Sequence, residues 1–489
     1  MTSLLDTRRA FVMIFAIGLF AMAARNVTDP DVWWHLRTGQ LILQNHAVFH
    51  TDPYSFTKFG QPWVNHEWLA DIIIFVFYRI AGWAGLIVVF AAIVSTAFMC
   101  VLRRCSGPPY LTAAVTVLGA IASAPSWGVR PQTFSLLFAS LFLLILERSA
   151  AHQNLLWYTL PITLIWVNLH GGYAIGIAFV FLFIVGDLVD VALGFEKWSE
   201  SRARLQKLVL SLAGCLAIIP LNPYGFRMYR YPIETVYSSG IQGYISEWLS
   251  PNFHDGMFLP LMLMLLAIFV AAALSPLPLR PRELLLLAAT TWAALHSSRH
   301  IAIFVLVAAP LLSRLIYARM SETQGSASGT KAASTVPILR LSNGLILAAF
   351  LAFTLIRLRH VVAGQGDAEA QAFPSAAVSY VLKNRIPGPL LNHYNWGGYL
   401  IWRLYPDYRV YIDGRTDLYG DAFMDQSGAT YNISNESWRD PLEKWQIRSV
   451  ILPPEAALVS ALRCQSVWKE VYGDHQAVIF ERDQSESNQ

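Results

Sequence analysis

Long apolar runs recur along the first 360 or so residues, and no other feature restricts the fold as strongly. Inside a bilayer no water is available to pair with backbone N–H and C=O groups, so a segment that crosses it must satisfy them internally, as a helix does. Such runs occupy positions 10–25, 83–102, 110–125, 133–147, 155–168, 173–193, 208–220, 257–275, 284–296, 300–317 and 342–358. Several are shorter than the roughly 20 residues a span needs, so their ends must reach into polar flanks. Charged residues make up 14% of the chain, against about 25% in soluble proteins. The pattern predicts a polytopic α-helical membrane protein of about eleven spans.

Other composition signals are exclusions. The net charge of +4 is small and dispersed, and no basic stripe interleaves with aromatics, so a nucleic-acid partner is not expected. The four cysteines form no CxxC pair and no zinc spacing, which predicts no structural disulfide. Sixteen tryptophans suit a protein with many membrane interfaces. The N-terminal run after Arg8 and Arg9 has the form of a signal peptide or of a first span; it is read here as an uncleaved span. Residues 68–80, "WLADIIIFVFYRI", are read as an interfacial or re-entrant helix, or a span of their own, set off from the next run by Gly82 and Gly85.

Charge orients the chain. Arg8–Arg9, Arg103–Arg104, Arg148, "EKWSESRARLQK", "LRPRE" and the stretch from Arg319 to Arg340 fall on one side, which the positive-inside rule makes cytoplasmic. "SETQGSASGTKAAST" on that side reads as a flexible linker. The N-terminus is then inside, and the region from about 360 onward is outside. The motif-rich loops, from "TDPDVWWHLRTGQ" through "TDPYSFTKFGQPWVNHEW", "PSWGVRPQ", "NLHGGY", "LNPYGFRMYRYP" and "ISEWLSPNF" to "HSSRH", all emerge on the outer face. Residues 1–360 therefore form a transmembrane domain with a large first exterior loop at 25–82.

Residues 361–489 read as a soluble exterior domain. "SAAVSYVLKNR" has helical periodicity, and "RVYIDG", "IRSVILPP" and "AVIFER" read as short strands, which together predict a small α/β fold. "NWGGYL" is a tight turn before a helix or a functional motif; "IDGRTD" is a polar turn or a binding element.

The layout resembles the GT-C class of membrane glycosyltransferases, and within it the oligosaccharyltransferase catalytic subunits. The first loop of those enzymes carries an acid in a "DPxFNYR"-like setting just after the first helix; "DPDVWWHLRTGQLIL" has the same place and a similar order. "HYNWGGYL" stands where they carry "WWDYG", but Asn395 and Trp396 occupy the place of the acid, so the sequon reading tied to that motif is not implied. The second-loop acid has no counterpart either, since "WGVRP" and "NLHGGY" lack one. The chain also looks like the many bacterial GT-C-like membrane proteins of unassigned substrate. The resemblance implies transfer of a sugar from a polyprenyl-phosphate-linked donor to a glycan, lipid or protein acceptor, at the outer face of a bacterial inner membrane.

Such a transfer needs a base, or a metal-polarised acceptor, and positive charge for the departing phosphate. Asp31 is the first candidate for base or ligand, with Asp29 second and Glu67 beside them; Mg²⁺ or Mn²⁺ is the ion that Asp31 would hold. Asp29 has a capping alternative, at a helix that would start at Pro30. His66 and Glu67 in "NHEW" either complete the acidic site or cap an interfacial helix. Trp33 and Trp34 are expected at the membrane interface, with His35 and Arg37 as headgroup or substrate contacts. His170 would reach a donor phosphate or sugar, or merely end a helix at Gly171–Gly172. Arg130, Arg227, Arg230, Arg299 and His300 are phosphate partners on the side that positive-inside statistics disfavour; headgroup snorkelling is the alternative. By analogy with a late exterior loop, Glu247 would contribute a second acid, with Glu234 its rival, and Trp248 and Phe253 would stack on sugars or rest on lipid. Asp413, Arg415 and Asp417 would bind an acceptor saccharide or peptide, or dock the exterior domain on the transmembrane loops, and Trp396 would contact substrate.

Two other classes fit the layout. A transporter or flippase would need polar residues near mid-membrane and inverted repeats; the polar residues here cluster at span ends. A non-catalytic scaffold in envelope polysaccharide assembly would need none of the acids.

Overall fold

A computed structural model describes residues 6–238, 242–243, 245–323 and 337–483. Most of the Ser/Gly/Ala segment read as a linker lies outside the described residues. The chain is predominantly helical, and it groups into two compact units. One comprises Met1–Arg25, Ile87–Tyr229 and Glu247–Val362; the other comprises Asn26–Leu86, Arg230–Ser246 and Ala363–Gln489.

Most of the membrane-helix length lies in the first unit. Among the described residues seven helices of the chain are long and apolar enough to cross a bilayer. They are α3 (Trp68–Arg104), α4 (Pro109–Ser123, continued to Ser126), α7 (Tyr173–Ala192), α8 (Trp198–Ile218, continued to Leu221), and the later spans Gly256–Leu274, Ser298–Glu322 and Leu339–Ala363. Shorter apolar helices accompany them: α1 (Thr7–Ala23, 17 residues), α5 (Gln132–Arg148, 17 residues), α6 (Thr159–Val167, 9 residues) and Pro281–His296 (16 residues). The chain is thus a multi-pass membrane protein. Ser298–Glu322 is the most enclosed span, with 78% of its apolar window buried. Small residues let its neighbours approach: a Cβ on Gly119 of α4 would lie 2.6 Å from Val305 Cγ1, a spacing that only a small residue tolerates.

Helix α3 is bent rather than divided. Ala81 (φ −140°) and Gly82 (φ 58°, ψ −146°) leave helical geometry inside it. The positive φ at Gly82 is the conformation that glycine adopts without a Cβ penalty, so the break expected between residues 80 and 83 is a kink.

The second unit is built on a four-stranded sheet of order β1-β2-β4-β3, from Leu390–Asn392, Ser449–Leu452, Trp468–Gly473 and Val478–Arg482. β1 and β2 run parallel; β4 is antiparallel to both β2 and β3. Val450, Leu452, Phe480, Leu458 and Trp468 are central to its apolar core. Two of the expected strands are present, within "IRSVILPP" and "AVIFER". "RVYIDG" is not a strand. Only Val410 bridges, to Leu390 and to Ser55. Its neighbours are taken by a side chain instead: Tyr411 N–H donates to Asn392 Oδ1 (2.8 Å), and Asn392 Nδ2 donates to the Ile412 carbonyl (2.8 Å). A side-chain amide that takes backbone groups in this way competes with a ladder.

The first-loop helix α2 (Val32–Asn45) belongs to this unit and packs on the C-terminal helix Gly397–Leu404. Glycine supplies the room. A Cβ on Gly398 would collide with the Pro30 carbonyl, and one on Gly397 with that of Ile412. The φ of Gly397 is −54°, so close approach rather than unusual backbone requires glycine in "NWGGYL".

Candidate functional site

In the second unit the first loop gathers carboxylates around two imidazoles. α2 begins at Val32, two residues later than a start at Pro30. Asp31 stands at its N-cap position without capping through its side chain. Asp29 folds back instead, and its Oδ1 accepts from Asp31 N–H (2.9 Å). The Asp31 carboxylate accepts from Trp34 Nε1 (3.2 Å) and rests where a Cβ on Gly414 would be. One face of the Asp31 carboxylate is thereby fixed by the backbone of the C-terminal segment.

Glu67 precedes α3 and is 13% exposed. Its carboxylate lies 3.4 Å from His66 Nε2 and 3.8 Å from His35 Nε2. His35 is buried, and its Nδ1 is 2.6 Å from Asp71 Oδ1. Burial alone would lower the affinity of His35 for a proton; Asp71, Glu67 and Asp31 outweigh it and hold the pKa above the usual value. The balance is the same at His66, where burial is outweighed chiefly by Glu67, with Asp417 assisting. The His66 ring packs on Tyr231 at 4.0 Å. Tyr394 lies within electrostatic reach of Asp31 and hydrogen-bonds Thr416 Oγ1 (2.7 Å); burial holds its phenol well above the ordinary range. Among the described residues no three His, Cys, Asp or Glu side chains are arranged to hold a metal ion. Around Asp31 the described residues therefore offer no ready cluster of carboxylate ligands of the kind that Mg²⁺ or Mn²⁺ takes.

Several expected contacts have other occupations. Trp33 is 1% exposed, wedged edge-on among Trp83, Phe373 and Tyr399. It is therefore a core residue and not a membrane-interface anchor, because the aromatic cluster removes it from any surface. Trp34 is buried too and stacks on His35 at 3.6 Å. His35 is not a headgroup contact, since it is enclosed with Asp71. Arg37 donates to the Trp402 carbonyl (2.6 Å) and lies over the Trp402 ring, so it pins α2 to Gly397–Leu404. Asp413 and Arg415 are 0% and 2% exposed and bind each other through two 2.7 Å contacts. Arg415 also reaches Asp52 of the first loop (2.8 Å). Their charges are thus consumed inside the unit, by each other and by Asp52. Trp396 is buried, while Asn395 beside it is exposed.

His393 in the same turn has a buried Nδ1 without a hydrogen-bond partner and packs against Trp396 and Tyr431. Burial, opposed weakly by Glu455, pushes it down to about 4. A histidine whose folded-state pKa lies below its unfolded value of about 6.5 stabilises nothing by charging. The unfolded chain takes up more protons below pH 6.5, so stability present above that pH falls as pH drops towards 4. His393→Phe should therefore lose less stability than wild type between pH 7 and 4, as read by pulse proteolysis at each pH. Identical slopes would refute this account.

In the first unit, donors surround the N-terminus of α5. Arg130 donates to Glu247 Oε2 (2.9 Å), and Arg299 donates to Gln132 Oε1 (2.9 Å) and lies 3.9 Å from Glu247 Oε1. Burial would raise the Glu247 pKa, but Arg299 and Arg130 hold it below the usual carboxylate range. The Arg299 guanidinium lies over the Trp248 ring, and His300 meets that ring edge-on. Gln132 and Ser135 are three residues apart and share a helix face. Ser135 Oγ is 2.7 Å from His170 Nδ1, and Trp166 Nε1 donates to the same oxygen (2.7 Å). Gly172 N–H also donates to His170 Nδ1 (2.9 Å). With Nδ1 accepting, the ring proton resides on Nε2. Arg227, by contrast, is exposed in a 3-10 turn, and in the second unit Arg230 and Glu234 are exposed at the start of the helix Tyr231–Tyr237.

Asp71 and Asp52 also belong to these networks, though neither is singled out by a motif. A lone acid in the apolar stretch "WLADIIIF" is itself the signal, because an ionisable group there needs a named partner.

No family model matches the sequence, and no curated protein matches it significantly. Its fold is similar to that of the oligosaccharyltransferase AglB from Archaeoglobus fulgidus, solved in complex with an inhibitory peptide and a dolichol-phosphate. The TM-score is 0.53 at 13% identity, over 91% of this chain and 69% of that one. The apo form of the Archaeoglobus fulgidus enzyme gives TM-score 0.53 at 13% identity over 90% and 69%. ArnT from Cupriavidus metallidurans, in the apo state, aligns over 97% of this chain and 98% of that one at TM-score 0.48 and 14% identity. The chain has a GT-C-like fold.

Proposed function

We propose that the protein is a GT-C glycosyltransferase that moves a sugar from a polyprenyl-phosphate-linked donor to an acceptor at the outer face of a bacterial inner membrane. The N-terminus is cytoplasmic and the C-terminal domain exterior on this reading, which rests on the distribution of Lys and Arg. In the reaction the acceptor oxygen or nitrogen forms a bond to the anomeric carbon. The bond from that carbon to the phosphate oxygen breaks, the phosphate keeps the electron pair, and the acceptor proton passes to a carboxylate. Asp31 takes that proton, and Glu67 supports it.

The observation that carries this reading is the Asp31 carboxylate, fixed at the start of α2 against Gly414, on a fold shared with AglB. A general base contributes roughly 10²–10⁴-fold. Asp31→Asn should therefore lower transfer of labelled sugar from polyprenyl-phosphate donors by about 10²-fold or more, with unchanged expression and monodispersity. Wild-type activity in Asp31→Asn would exclude the reaction as written, and would leave a transporter or scaffold as the better account.

A further inference from the structure

Beneath Glu67 lies a buried ionic chain that the transfer step leaves unexplained. Asp71 is 0% exposed, in the first turn of α3. Its two oxygens are both engaged: Oδ1 is 2.6 Å from His35 Nδ1, and Oδ2 accepts from Asn65 Nδ2 (2.9 Å). The second nitrogen of His35 faces Glu67 at 3.8 Å. Each ring nitrogen therefore has a carboxylate in front of it, the arrangement that an imidazolium with two donors satisfies. The ring is also fixed laterally by Trp34. The helices are fixed as well. A Cβ on Gly39 of α2 would overlap the Asp71 carbonyl, so the two backbones touch where the acid and the imidazole meet.

We propose that His35 and Asp71 are a positioning pair that holds the Glu67 carboxylate ionised and aimed, a role that rests on the reading of Glu67 as a participant in transfer. Asp71 selects the charged ring, and the charged ring attracts Glu67. If His35 were neutral with its proton on Nδ1, the Nε2 lone pair would face the Glu67 oxygen and repel it. The charged groups facing His35 are Asp71, Glu67 and Asp31; those facing Glu67 also include His66 and Asp417. Asp71→Asn keeps the size of the side chain and removes the charge that stabilises the imidazolium. The alkaline limb of transfer should then move to lower pH, and activity lost at pH 7.5 should return at about pH 6, near the ordinary histidine value.

The test uses full-length protein with ¹⁵N-labelled histidine in nanodiscs, the His35 resonance being identified by its loss in His35→Gln. The expected result is a charged His35 at pH 7.5 in wild type, a titration at least about one pH unit lower in Asp71→Asn (about a tenfold weaker proton affinity), and a parallel shift of the transfer profile. Glu67→Gln, which leaves the contact between α2 and α3 untouched, should also lower the His35 titration. A neutral His35 in wild type, or one that neither substitution moves, overturns the pairing. A moved titration with a superimposable transfer profile overturns the positioning role. A moved titration in a protein that transfers nothing from lipid-linked donors instead overturns the proposed reaction and leaves the ionic pair standing.

Discussion

Replacing Arg415 by methionine should cost the second unit about 3–5 kcal/mol, because it strands two buried carboxylates. Arg415 is the hub of that unit. Its Nε and Nη2 grip Asp413, and its Nη1 holds Asp52. Its guanidinium also lies 4.6 Å from the Trp63 ring centroid and 5.0 Å from that of Tyr54. Tyr419 donates to Asp413 Oδ2 (2.7 Å), and the Tyr54 and Ser55 amides donate to Asp52. These hydrogen bonds satisfy the carboxylates in part, but two negative charges without their cation are not tolerated out of water. The loss should appear as a lower denaturant midpoint in pulse proteolysis of the second unit, with a change in Trp63 fluorescence. Arg415→Met combined with Asp413→Leu and Asp52→Asn should recover much of it, since apolar or neutral replacement of a whole buried set is often close to neutral. A single Arg415→Met variant as stable as wild type would show that the network is not buried in the protein as described.

The first unit has its own counterpart at Asp187. The carboxylate is 0% exposed on α7 and is shared by Arg204 of α8 (2.7 Å) and Arg282 of the helix Pro281–His296 (2.7 Å). Gly186 lets the Arg282 chain pass, since a Cβ there would lie 2.6 Å from Arg282 Cβ. Asp187→Ala should destabilise the helical unit by about 3–5 kcal/mol, the usual cost of an uncompensated buried charge. Here it leaves two guanidinium groups facing each other. Asp187→Glu should restore most of the stability, and Asp187→Asn less, because only the glutamate retains the charge. Monodisperse protein remaining after a temperature ramp reads this directly. An unchanged midpoint for Asp187→Ala would mean that solvent or lipid headgroups, rather than Asp187, neutralise the two arginines.

Both networks bear on what can be read from a chain. Helical spans and the short strands of "IRSVILPP" and "AVIFER" were legible because they follow from local periodicity and apolar content. The break at Gly82 was legible for the same reason. "RVYIDG" has strand periodicity but is not a strand, since Asn392 takes the backbone groups a neighbouring strand would need. Trp33 and Trp34 resemble interfacial anchors in sequence, yet contacts with residues such as Phe373 and Tyr399, distant in the chain, bury Trp33. Asp71 is an acid within an apolar helix whose cationic partner lies 36 residues earlier, and Asp52 is paired across 363 residues.

The sequence by itself determined that this is a multi-pass helical membrane protein with a small α/β unit, and that acids, imidazoles and guanidinium groups are placed at the ends of its spans. Those properties depend on the transfer of each segment between water and hydrocarbon, which is additive along the chain. Only the tertiary structure decided that Asp413 and Arg415 hold Asp52, that Arg37 pins α2, and that Asp31, His35, Glu67 and Asp71 share one neighbourhood. A buried charge is stabilised by whatever opposite charge lies within a few ångströms, and that distance is set by the fold rather than by the separation of residues along the chain.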